Sequence, residues 1–189
     1  MQNPAFTSPD NKLQHLRFKV SAVVWSMRSV ATLYALWVLY QILRPLYQTD
    51  SFLIRLGQYW QRELISAAPW QYQSAVALNM ALWALLLLAI ACVWKAAGHL
   101  LGTQDVSVQT SGWLRKGAWA GLGCLGLGIL SRPLLSQLYT LHLPAELQLW
   151  RWDFYPSDLL NAALCFALLL LGYLMAWTAD IAEENKGFV

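Results

Sequence analysis

The chain alternates long apolar runs with short polar, aromatic or charged ones, and four of the apolar runs, residues 20–43, 74–94, 117–135 and 159–177, are close to membrane-crossing length. A hydrocarbon core about 30 Å thick is spanned by about 20 helical residues, so the pattern predicts an all-α membrane protein with four transmembrane helices. No stretch between the runs is long enough to build a core of its own. Residues 1–189 are therefore read as a single integral membrane domain, with a cytoplasmic lead-in over residues 1–19, disordered over its first eleven, and a cytoplasmic tail over residues 178–189. A cleavable signal peptide is rejected for the first run: its apolar region would be about 7–15 residues, whereas this run is interrupted by Arg28 and continues through Tyr34, Trp37 and Tyr40.

Composition agrees with this reading. Hydrophobic residues make up 58% of the chain and charged residues 12%, against a usual charged share of about 25%, and the mean hydropathy is +0.41. The placement of the basic residues sets the orientation. Lys12, Arg17, Lys19, Lys95, Arg115, Lys116 and Lys186 fall on the side of the two termini and the middle loop, while Arg44, Arg55, Arg62, Arg132 and Arg151 fall on the other; every lysine is on the first side. The positive-inside rule then predicts both termini in the cytoplasm.

The two loops on the far side have patterns of their own. Over residues 52–65, Leu53, Leu56, Trp60 and Leu64 share one helical face and Arg55, Arg62 and Glu63 lie largely off it, which predicts an interfacial helix lying on the membrane. The second loop gathers Trp150, Trp152, Phe154 and Tyr155 just before a helix start at Pro156, Ser157 and Asp158, as an aromatic belt at headgroup depth would; a lined cleft for a small ligand is the alternative. The first run ends ILRPLYQ (42–48) and the third ILSRPLLSQ (129–137). Arg44 and Arg132 can thereby reach lipid phosphate or outer acidic residues, Pro45 and Pro133 each remove a backbone donor, and the match is read either as two hairpins related by an axis along the membrane normal or as two independent helix exits.

Inside the runs, Gly117, Gly121, Cys124 and Gly128 recur at intervals of four, three and four, a stripe of small residues that predicts close helix packing or a homodimer contact. Arg28 is the one charge clearly inside a span, Arg132 lying at the outer edge of the third. Such a charge needs a partner or an escape: either Asp180, Glu183 or Glu184 beyond the fourth span, or the headgroups, reached by snorkelling. The remaining chemistry is sparse. Cys92, Cys124 and Cys165 are expected at three different depths on three helices, so no disulfide or metal site is expected, and His15, His99 and His142 do not face one another as membrane haem ligands would. No cofactor is expected.

The final helix and its exit, LLLLGYLMAWTADIAEENKGFV (168–189), the Gly-Trp-Leu-Arg-Lys entry to the third span (112–116) and the Pro-Leu at its exit resemble the bacterial four-span family filed as domain of unknown function 2975. That resemblance implies a bacterial inner-membrane location and four-span topology, offers no catalytic residues, and, through the family's small helix-turn-helix neighbours, suggests regulation. From the residues themselves, an enzyme would need His, Asp, Glu or Ser nucleophile groups converging at one depth, and none is visible. The expected class is thus a non-enzymatic regulator, sensor or interaction partner. It would contact the lipid bilayer and a soluble cytoplasmic regulator or membrane partner, through the acidic tail and residues 95–116, with no direct nucleic-acid binding. A small transporter or accessory subunit of one is the alternative, although Asn79, Asn161 and Arg28 supply few polar groups for a path.

Overall fold

The computed structural model describes residues 9–103 and 108–186; residues 1–8, 104–107 and 187–189, which include the first part of the lead-in and the end of the tail, lie outside the described residues. The fold is all-α. Its helices are α1 (Pro9–Tyr47), α2 (Thr49–Trp60), α3 (Pro69–Thr103), α4 (Val108–Thr140) and α5 (Pro156–Lys186), with a single 3₁₀ turn at Ala145–Leu147. Four helices are long and apolar enough to cross a membrane. The shortest of these four has 31 residues, about 46 Å at 1.5 Å per residue, so each continues past a hydrocarbon core. Two expectations are corrected by that length. Residues 9–11, expected to be disordered, belong to α1 with the rest of the described lead-in, and residues 95–103 and 108–116, expected to be part of a loop, are the extended ends of α3 and α4.

Little of the apolar surface is buried by the chain itself: 17% of the residues in the apolar stretches of α3 and α4, and 6% in that of α5. In water such exposure would cost far more than a fold of this size gains; in lipid it is the expected state. The long helices pack as a row in the order α1, α3, α4, α5, with the closest apposition between α3 and α4. Because lipid removes the hydrophobic drive between helices, contact comes from small side chains and polar bonds to backbone. Trp83 Nε1 on α3 donates to the Ala35 carbonyl on α1 at 3.0 Å, and Cys124 Sγ on α4 to the Leu82 carbonyl on α3 at 3.5 Å.

The apolar core proper lies at one end of the row, opposite the end where α1 begins and α5 ends. There α2 folds over the bundle, and the face predicted for it is turned inward: Leu53 packs with Leu64, Ala75 and Tyr139, and Phe52, Leu56 and Trp60 close around them. Phe52 and Trp60 each hold their ring centres 6.0 Å from that of Tyr139. Ile54, Tyr59 and Ile65 stay exposed on the other side. Leu64 joins the cluster from beyond the helix, because α2 ends at Gln61, whose φ of 53° is left-handed. Arg62 N then donates to the Gly57 carbonyl at 2.9 Å, a Schellman closure. A Cβ on Gly57 would lie 2.5 Å from the Arg62 carbonyl oxygen, so only glycine fits.

Both hairpins leave through Arg-Pro-Leu and re-enter through a proline in the first helical position with a capping side chain two residues later. In α3, Gln71 Oε1 accepts from Ala68 N at 2.7 Å; in α5, Asp158 Oδ2 accepts from Tyr155 N at 2.9 Å. These are equivalent capping boxes, since each third residue reaches back to the amide before the proline. The hairpins differ at the partner of that residue. Gln71 carries no charge and donates to the Leu138 carbonyl on α4 at 2.9 Å, whereas Asp158 is ionised and meets an arginine.

Candidate functional site

Polar side chains gather in two layers, one at each end of the row. At the α2 end the centre is Arg132, which rises from α4 one residue before Pro133. Its Nη1 and Nη2 lie 2.6 and 2.7 Å from Asp158 Oδ2 and Oδ1, a two-pronged pair of the kind that fixes orientation as well as charge. Nη1 also donates to the Asp153 carbonyl, and the guanidinium carbon stands 4.7 Å from the Tyr155 ring centre. The pair is only partly open to solvent, at 23% and 9% side-chain exposure. Partial burial, with the Tyr59 phenol close by, pushes the Tyr155 hydroxyl above its ordinary value.

The segment before α5 is fastened to α4 by two buried hydroxyls. Thr140 Oγ1 accepts from Leu149 N at 2.9 Å and Ser136 Oγ from Arg151 N at 3.1 Å. Arg151 in turn pairs with Asp153 at 2.8 Å and faces the Tyr59 ring at 5.6 Å, while Arg62 donates to the Leu147 carbonyl at 3.3 Å. The aromatic loop, α2 and the start of α5 are thus one connected cap. Its chemistry is that of a clamp: two arginines are neutralised by aspartates, and backbone amides are satisfied by side chains.

The second layer crosses the row near the termini. Arg28 Nη2 donates to the Trp94 carbonyl on α3 at 3.2 Å, and its guanidinium is 5.5 Å from the Trp25 ring centre. Arg28 Nε and Trp94 Nε1 are buried and have no hydrogen-bond partner. A Cβ on Gly98 would sit 3.3 Å from Arg28 Nη2, so this glycine leaves the room in which the guanidinium reaches α3. On α4, Arg115 lies 5.2 Å from the Tyr173 ring centre, and Lys116, with Lys95 of α3, flanks Trp113.

The proposed pairing of Arg28 with Asp180 or Glu183 does not form. Arg28 faces α3, α5 packs on α4, and Asp180 and Glu183 are exposed. They also lie at least seven residues beyond Tyr173, about 10 Å further along the axis. In a double-mutant cycle on Arg28→Gln and Asp180→Asn, read as thermal stability in detergent, the two effects are expected to add to within about 0.5 kcal/mol, as distant sites do. A larger coupling would restore the ion pair.

The other singled-out residues part company. Among the described residues, Arg44 donates from Nε to Gln48 Oε1 at 3.3 Å, in the break between α1 and α2, whereas Arg132 crosses to α5. Within the small-residue stripe, Gly117 faces α3: a Cβ there would be 3.1 Å from Val93, 3.2 Å from Cys92 and 3.4 Å from the Ala89 carbonyl. Gly121 instead faces α5, with Cys165 Sγ 2.9 Å from the Cβ position, and Gly128 meets nothing within 4 Å. The stripe therefore lies between two neighbours, with Gly117 and Cys124 on α3 and Gly121 on α5, and ends in open space. Cys165, beside Gly121, comes within about one helical turn of Cys124 in depth, so these two cysteines are not at separate levels as expected. Among the described residues no three His, Cys, Asp or Glu side chains gather in a set that could hold a metal.

Sequence reasoning missed Trp83, Trp94, Gly98 and Gly172 as contact residues and named Asp158 only as part of a helix start. The proline before it and the Arg-Pro exit of α4 were the available signal: two helix ends of one hairpin must adjoin, and their opposite charges then meet. No family model matches the chain, and no curated protein or solved structure is significantly similar to it.

Proposed function

We propose that the chain is a non-enzymatic regulatory or interaction protein of the bacterial inner membrane, with both termini in the cytoplasm. The observation that carries this reading is the row arrangement: α1 and α5 are end helices, and each leaves a long apolar flank open. On α5, Leu160, Leu164, Phe166, Leu170 and Leu171 are exposed along the apolar stretch, and Asp180, Glu183 and Glu184 follow on the part that continues beyond it. A partner in the membrane can lie along the flank while a soluble one meets the acidic end. The polar groups of the two layers hold helices and loops together, which suits a scaffold better than a reaction centre. The basic-residue bias and the family-like ending over residues 168–189 support the location and orientation.

The test is photo-crosslinking in intact cells from a reactive residue placed at Leu164, Leu170 or Glu183 in turn, followed by mass spectrometry, with reporter fusions at Gln58 and Gly187 fixing the topology. Crosslinks to one protein from α5, absent from a control position on the exposed face of α2, are expected. Crosslinks to lipid alone from every position would overturn the interaction reading, and an externally active Gly187 reporter would overturn the orientation.

A further inference from the structure

Among the described residues, the layer at the end where α1 begins and α5 ends is cationic and holds no ion pair. Arg28, Lys95, Arg115 and Lys116 come from three adjacent helices, yet the two ion pairs among the described residues, Arg132–Asp158 and Arg151–Asp153, are both at the opposite end. Lys95 and Lys116 are the sharpest case. Their ammonium nitrogens lie 4.4 and 4.8 Å from the centre of the same Trp113 ring, so two like charges converge on one indole. The ring attracts each of them, but they repel one another. A single anion held by both removes that repulsion, and the four-carbon lysine stems let the two ammoniums close on it.

The surroundings choose the kind of anion. Trp113, Lys116 and Gly117 stand where the apolar stretch of α4 begins, the depth at which indoles meet headgroups. Along the same helix Trp119, Leu127 and Leu130 are exposed apolar side chains, a bed for acyl chains below a phosphate. We propose that Lys95 and Lys116, flanking Trp113, bind the headgroup phosphate of an anionic phospholipid. The site requires only that the helices are embedded in a bilayer, and stands whether or not a protein partner is found.

The probes are phosphatidylglycerol and phosphatidylcholine, titrated into delipidated full-length protein in mild detergent and followed by native mass spectrometry, with thermal unfolding measured alongside. Phosphatidylglycerol is expected to bind in preference to phosphatidylcholine. The variant Lys95→Gln with Lys116→Gln should lose its affinity for phosphatidylglycerol by about tenfold or more, since each interfacial lysine contributes to holding an anionic headgroup. Changing both lysines to Arg should restore binding, and Lys19→Gln, which removes an exposed charge on α1, should leave it unchanged. If the double variant does not fold, each single variant is measured and should show a partial loss. Equal retention of the two lipids, no loss in the Lys-to-Gln variants, or an equal loss in Lys19→Gln would overturn the site. Displacement of the lipid by inorganic phosphate or glycerol 3-phosphate at sub-millimolar concentration would overturn its assignment to a lipid.

Discussion

Replacing Arg132 by Gln, or Asp158 by Asn, is expected to destabilise the protein by roughly 2–4 kcal/mol, because either change strands a charge that is largely withdrawn from water. The cost of the two single changes has different parts. Asp158→Asn keeps an oxygen to accept from Tyr155 N, so the cap of α5 survives while the guanidinium loses its anion. Arg132→Gln leaves the carboxylate capping α5 but also removes the bond to the Asp153 carbonyl and the contact with the Tyr155 ring, so it should loosen the aromatic loop as well. With both replaced, neither charge is stranded, and the loss should be smaller than the sum by about 1–3 kcal/mol. Denaturant titration in mixed micelles measures the cycle. A coupling near zero would mean that solvent already screens the pair. The same changes at Arg44 should do little, since its bond to Gln48 is exposed.

That contrast also marks where sequence stops being informative. The two Arg-Pro exits look alike as strings, and nothing in either arginine tells which one is paired. The difference sits a hairpin away, at the capping residue after the returning proline, where one helix carries Gln71 and the other Asp158. Length and apolarity placed all four spanning helices because the bilayer imposes a fixed thickness on them. The amphipathic face of α2 was legible for the same reason that it packs: Leu53, Leu56 and Trp60 recur at helical spacing. The surface it would meet was not, since period alone does not separate a membrane interface from the ring of Tyr139. Arg28 was singled out as a costly charge, yet its acceptor is a backbone carbonyl made reachable by Gly98, and any residue has a carbonyl. Nor does a sequence give the order of helices in a row, and it is that order which separates α1 from α5 and removes Asp180 and Glu183 from reach.

Among the helix contacts, Gly117→Leu is expected to cost the most, about 3 kcal/mol or more, as overpacking of a close contact does when the backbone must move. Three atoms of α3 lie 3.1 to 3.4 Å from where the first carbon of any side chain would stand, and one of them is the Ala89 carbonyl oxygen, which cannot rotate away. Gly172→Leu should cost less. Its nearest obstacle, 2.7 Å from the Cβ position, is the Arg115 Cγ, part of a flexible stem that can swing aside, although the Arg115 amide and the Ser111 carbonyl at 3.4 Å limit the relief. Gly128→Leu belongs to the same sequence stripe and is expected to change stability by less than about 0.5 kcal/mol, since nothing occupies the space and a leucine there replaces a glycine of poor helix propensity. Thermal stability of the three variants in one detergent therefore ranks the faces of the helices: the steep order Gly117, Gly172, Gly128 follows if α4 is clasped between α3 and α5 near the termini and free toward its middle. A large loss at Gly128 would place a further helix, from a second copy or another protein, against that open stretch of α4.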